Sequence, residues 1–305
     1  LFLRDDADPA LPAAIGQMLA RHLPCTFRGL STNFSEPNPD DHGVQLLEPV
    51  DSGPVNHRVE IFTVSGFIAS YLGVDLAAPL TPDGWLAIPQ QRLRTTVGGA
   101  VYHDEVGLEA VRQRLAWYPH DVWLYLLAAS WARIGQEEHL MGRAGYAGDE
   151  IGSALIGARL VRDVMRLCFL MERTYAPYPK WFGTAFRQLA CGPQLVPVLE
   201  HALHAQSWRA REEHLAVAYE TLGRLHNQLG LTEPMPEQVC DFFGRPFRVM
   251  ALHGFADALV RAITDPAVQA IAHRPLIGNI DLVSDNTDLL ENQCWQPILR
   301  TLYVP

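Results

Sequence analysis

Four groups of residues in the 305-residue chain have the types and spacing that chemistry requires. Arg159, Arg162, Asp163 and Arg166 fall at i, i+3, i+4 and i+7, so a helix carries them as one narrow charged stripe on an otherwise apolar surface. Three guanidiniums against one carboxylate leave positive charge suited to phosphate or carboxylate oxygens. The same stripe can instead pair inward with Glu137, Glu138 or Glu150 on an adjoining helix. The second group is Tyr175-Ala176-Pro177-Tyr178-Pro179-Lys180-Trp181. Its prolines stiffen a connection that delivers Lys180, the one Lys among 24 basic residues. A compact ammonium there suits a triphosphate, although a single leftover Lys in an Arg-biased composition needs no role.

Gln136-Glu137-Glu138-His139, at the expected C-terminal end of a buried helix, offers a general base for a hydroxyl. It lacks the His-Glu-x-x-His spacing of a zinc protease, and Arg133 with Glu137 has the spacing of a helix-surface pair. In Val59-Glu60-Ile61 a carboxylate sits mid-strand, where a rigid element can hold Mg²⁺, or where an exposed strand face simply carries a Glu. Three further patterns carry less. His201 and His204 beside Glu200 read as a solvated helix face before a metal site. Asp281, Asp285 and Asp288 miss calcium-loop spacing and read as turn caps. Gly152-Ser153 followed by Asp163 is not a transfer motif, because its second acid would fall at Met165 on a helix.

The elements that must position these groups change character along the chain. Up to about Pro89 the pattern is mixed: a strand at 1–3, an amphipathic helix over 11–23, an irregular proline-rich stretch over 33–54, and a strand over 57–64. Ser65 is expected to cap a helix over 66–72 that Gly73 ends. Beyond Val101 helical spacing dominates: 105–117, a helix opened by Pro119, a turn over 142–148, a long helix over 150–173 capped by Asp149, and a helical pair over 195–205 and 207–229. A strand over 246–250, a helix over 254–263 and an Asp/Asn-rich loop over 281–288 complete the tail. The fold class expected is α+β, a small mixed-sheet domain over 1–100 followed by a helical bundle over 101–305. Gly152, Ala154 and Gly157 would let a neighbouring helix approach the long one closely.

Composition bounds the partners. At 48% hydrophobic and 19% charged residues the chain is neither disordered nor fibrous. A formal net charge of −10 argues against grip on a nucleic-acid backbone and favours a cationic small molecule. No run of eighteen apolar residues is present, which argues against a membrane span. Five scattered Cys without Cys-x-x-Cys spacing read as thiols in a reducing, cytoplasmic compartment. The chain opens Leu1-Phe2-Leu3-Arg4 with neither Met nor a signal pattern, so residues upstream are expected.

Trp117-Tyr118-Pro119-His120-Asp121-Val122-Trp123, Arg133-Ile134-Gly135-Gln136-Glu137-Glu138-His139, Gly148-Asp149-Glu150-Ile151-Gly152-Ser153, Arg159-Leu160-Val161-Arg162-Asp163, Met171-Glu172-Arg173 and the Tyr175–Trp181 segment together resemble the bacterial family called domain of unknown function 4037. Its members are similar to two-domain nucleotidyltransferases of the aminoglycoside-modifying kind, a catalytic sheet followed by a helical bundle. The resemblance implies Mg²⁺-dependent transfer of a nucleoside monophosphate from a nucleoside triphosphate to a hydroxyl of a small acceptor. It assigns Glu60 to metal and catalysis, as the third carboxylate. Lys180, Arg162 and Arg166, with Arg159 and Asp163 in the same stripe, go to nucleotide, and Glu137 or Glu138 to the base. The family's Gly-Ser signature and Asp-x-Asp pair would precede Leu1 and have no counterpart in these residues. The alternative expectation is a protein that keeps the fold and binds a nucleotide or small molecule without turnover.

Overall fold

In this computed structural model, which describes residues 1–304, the chain divides into two units. The first is Leu1–Leu76 with Val101–Val111, and the second is Ala77–Ala100 with the chain from Arg112 on. The architecture is α+β, mostly helical with few short strands.

The first unit holds β1 (Phe2–Leu3), α1 (Leu11–His22), β2 (Thr26–Phe27), β3 (Leu30–Ser31), β4 (Phe62–Thr63) and α2 (Val64–Leu72). β1 pairs in parallel with β4, Phe2 opposite Phe62, and β2 pairs antiparallel with β3. Phe67 of α2 meets Phe2 edge-on at 5.4 Å, so the strands are held by a small aromatic cluster above Val64, Ile68 and Leu72. The strand expected over 57–64 shrinks to two residues. The Val59 N–H donates to Nδ1 of His57 (3.1 Å), whose other ring nitrogen bonds the Gly16 carbonyl (3.0 Å). A local side-chain bond thus takes a donor that a ladder would need. The cap of α2 is Thr63 rather than Ser65: the Gly66 N–H donates to Thr63 Oγ1 at 3.1 Å, and Ser65 donates to Asp5 instead.

The second unit begins with α3 (Pro82–Ala87) and α4 (Gln90–Val97), whose Trp85, Leu86, Ala87 and Leu93 are buried in it. The chain returns to it through α5 (Leu108–Arg114), shorter at its start than its pattern because Asp104 accepts the N–H groups of residues 106–109. Then come α6 (His120–Tyr146), α7 (Glu150–Met171), α8 (Phe182–Phe186), α9 (Gly192–His204) and α10 (Trp208–Leu229). The antiparallel pair β5 (Cys240–Phe242) and β6 (Arg245–Val249) precedes α11 (Phe255–Ala262), α12 (Pro266–Ala272), α13 (Ile280–Val283), α14 (Thr287–Glu291) and α15 (Gln296–Arg300).

α6 is apolar nearly all round from Val122 to Ile134 and forms the core, with Trp123 and Trp131 fully buried and Trp131 stacked on Phe255 at 4.2 Å. Its course past residue 139 departs from the sequence pattern, which put a turn at Gly142. The glycines there are contact points inside a continuous helix. A Cβ on Gly142 would lie 2.8 Å from the Phe247 ring and one on Gly145 would lie 2.2 Å from Trp208. Among the described residues no helix is long and apolar enough to cross a membrane.

Candidate functional site

α7 is positioned by its first turn and by its small residues. Asp149 accepts the Gly152 N–H at 2.7 Å, and Leu160, Val164 and Leu167 are fully buried. A Cβ on Gly157 would fall 2.3 Å from the Arg211 side chain, so α10 lies directly across that glycine. This seating turns Arg159, Arg162, Asp163 and Arg166 along one line facing α6 and the segment after α13.

The stripe is charged from both sides. Arg159 Nε meets Glu137 at 2.8 Å and Arg133 meets the same carboxylate at 3.2 Å. Arg133 and Arg162 each stand 3.6 Å from Asp163, which is almost wholly buried. Burial pushes the Asp163 carboxyl up, against the pull of Arg162, Arg133 and Arg166. Burial also works against the Glu137 carboxylate, but the Arg159 hydrogen bond and the Arg133 charge outweigh it and hold it below its ordinary value. At the other end Arg166 Nη2 donates to Asp285 at 2.8 Å, and Arg162 Nη1 donates to the other oxygen of the same carboxylate. Inward pairing therefore falls to Glu137. Glu150 accepts the Trp208 N–H and faces Arg211.

Glu138 is placed differently from its neighbour. It is 2% exposed, mid-helix, and its two oxygens accept the N–H groups of Met250 (2.8 Å) and Ala251 (3.0 Å). Burial pushes its pKa up to about 7 even though both N–H donors favour the charged form. It fastens the end of β6 to α6, and it does not line the pocket described next.

Beside the outer end of the stripe lies a pocket of about 130 Å³, with Arg162, Arg166, Asp281 and Asp285 on its polar side and Leu170, Pro177 and Phe182 on its apolar side. The broken segment after α7 forms one wall. It is held because Ala176 N–H donates to the Gln90 side chain (2.8 Å) and Arg94 donates to the Tyr175 carbonyl (2.6 Å). Glu172 ties the end of α7 down by accepting the N–H groups of Ala190 (2.7 Å) and Cys191 (2.8 Å). Asp281 takes the Gln90 N–H at 3.0 Å and an Asn279 N–H at 2.9 Å, and burial, opposed by the Arg166 charge, pushes its pKa up to about 6. Lys180 is exposed just past this wall, with Nζ 5.1 Å from the centre of the Trp181 ring.

The structure thus brings Arg162 and Arg166 to one pocket, sets Lys180 past its wall, and ties Arg159 and Asp163 into the network with Glu137. Glu60 lies in the first unit, exposed on the extended segment just before β4. Among the described residues no group of three or more His, Cys, Asp or Glu is arranged to hold a metal. Mg²⁺ needs several oxygen ligands fixed together, so Glu60 with the neighbours present does not make its site. His204 bonds the Glu200 carbonyl at 2.7 Å through Nδ1, as a solvated helix face does.

Asp281 and Asp285 carry more than sequence reasoning gave them. The caps of α13 and α14 are Asn279 and Asn286, which accept the N–H groups of Leu282 (3.3 Å) and Leu289 (3.0 Å). The signal was present twice, as Asn279-Ile280-Asp281-Leu282 and Asn286-Thr287-Asp288-Leu289. An Asn at the cap already satisfies the turn, which frees Asp281 and Asp285 for side-chain partners.

No curated protein and no solved structure matches the chain. The stretch that builds the charged stripe, from Trp85 in α3 through α6 and α7 to the pocket wall at Phe182, is what a family model recognises. Over residues 85–182 the chain matches the family model described as domain of unknown function (DUF4037).

Proposed function

We propose that the chain is nucleotidyltransferase-like and that its helical unit receives the phosphates of a nucleoside triphosphate at the Arg162–Arg166 pair. The observation that carries this reading is that two arginines one turn apart on α7 converge on a single carboxylate at the edge of a pocket. Guanidinium forks of this kind match phosphate oxygens equally well. Lys180, exposed beyond the pocket wall, supplies a further point charge for the outer phosphates. Asp163 keeps Arg133 and Arg162 oriented, and Arg159 is held by Glu137. Mg²⁺ would enter only with the triphosphate, because Glu60 with the neighbours present makes no site for it. The reaction class is transfer of a nucleoside monophosphate to a hydroxyl of a small acceptor, for which the net charge of −10 favours a cation.

Binding without turnover is the second reading, favoured by one observation. Both candidate bases are engaged, Glu137 by two arginines and Glu138 by two backbone N–H groups.

Isothermal titration of ATP with Mg²⁺ into the protein and into Arg166→Ala tests the shared step. Loss of one charge-assisted phosphate contact should weaken binding about tenfold or more. Equal affinities in the two proteins would remove Arg166, and with it this reading. Incubation with ATP and a panel of hydroxylated amines then separates the alternatives by release of pyrophosphate.

A further inference from the structure

Asp285 stands in the place an anionic ligand would take. It lies in the three-residue connection between α13 and α14, with its side chain 58% exposed, whereas that of Arg166 is 16% exposed. Each of its oxygens faces a different arginine, Oδ2 toward Arg162 and Oδ1 toward Arg166, which is how two guanidiniums would divide a phosphate between them. The turn around it does not depend on this contact, because Asn279 and Asn286 supply both helix caps. Arg162 Nε is buried 3.6 Å from Asp163, which leaves the Nη side of its guanidinium to meet Asp285. The arginines and Asp285 border the same pocket of about 130 Å³.

We propose that Asp285 is a built-in competitor that closes the Arg162–Arg166 clamp, and that the phosphoryl group of a nucleotide binds there by displacing it. The inference rests on the phosphate reading above and adds its regulation. The segment Ser284–Asp288 swings out when phosphate arrives, so affinity is set by the difference between two anions competing for one pair of arginines.

The test is calorimetric titration of inorganic tripolyphosphate, and separately of ATP, into four proteins: the parent, Asp285→Asn, Arg166→Ala and the double variant. Asp285→Asn keeps shape and removes charge at a half-exposed position, and an unchanged thermal midpoint confirms that it folds. It should bind tripolyphosphate up to about fivefold more tightly than the parent, and the gain should vanish in the double variant. Hydrogen exchange adds a readout of opposite signs: bound tripolyphosphate should slow exchange around Arg162–Arg166 and speed it over Ser284–Asp288. If the parent binds through Arg166 while Asp285→Asn binds equally or more weakly, the competitor is overturned and the phosphate site stands. If neither the parent nor Asp285→Asn binds tripolyphosphate or ATP, both proposals fall. ATP binding without tripolyphosphate binding would place recognition on the nucleoside and overturn the competitor.

Discussion

Glu137 and Glu138 are adjacent in sequence and opposite in physics. Helical geometry turns them about 100° apart, so one faces the arginines of α7 and the other faces the backbone after β6. Glu138 carries the sharper prediction. Its folded pKa of about 7 lies above the ordinary 4.5, so between those values the folded protein keeps a proton that the unfolded chain has released. Stability owed to this group is therefore fully present below about pH 4.5 and declines as pH rises toward 7. Chemical denaturation of the parent and of Glu138→Gln across that window should show a steeper decline in the parent; parallel profiles would assign the slope elsewhere. Glu138→Ala leaves the Met250 and Ala251 N–H groups unmet and should cost about 1–3 kcal/mol for each, most at low pH where the contribution of Glu138 is full. The Asp285 contact lies at the other extreme, an exposed ion pair of the sort worth about 0–1 kcal/mol, which is why a phosphate can displace it.

At the level of elements, α6 shows why local spacing can mislead. Gly135, Gly142 and Gly145 share a face with Glu138, and each lies where a neighbour approaches: Ala251 at 2.8 Å from a built Cβ on Gly135, Phe247 on Gly142 and Trp208 on Gly145. A glycine-rich stretch reads as a turn until those neighbours are known, because the cost of glycine in a helix is recovered only through tertiary contact. Gly145→Ala should therefore destabilise by about 1–3 kcal/mol through overpacking against Trp208. Gly16→Ala in α1, where nothing lies within 4 Å, should stabilise by up to about 1 kcal/mol. Thermal unfolding of the pair checks the contrast, and equal effects would contradict it.

The same physics explains what was legible. Asp149 and Gly73 bound their helices where expected because caps are local chemistry. The strand over 57–61 failed because a His57 side chain competed for its donor. β5 was missed because three residues alternating half-buried and exposed give no clear period. The Arg stripe was readable from spacing. Its closure by Asp285 was not, since the two lie 119 to 123 residues apart in sequence.

Within the helical unit the line of arginines on α7 is nearly neutralised from within. Arg133 and Arg159 are satisfied by Glu137 and Asp163, and only the Arg162–Arg166 end meets a pocket and an exposed carboxylate. The proposed stop for an anion in this unit is that end of α7, and the matched stretch of residues 85–182 covers both arginines and the wall beside them. The direct measurement is a crystal structure of the protein grown with ATP and Mg²⁺. The account predicts phosphate density between Arg162 and Arg166 with Asp285 turned away; nucleotide bound elsewhere, with Asp285 still across both arginines, would contradict it.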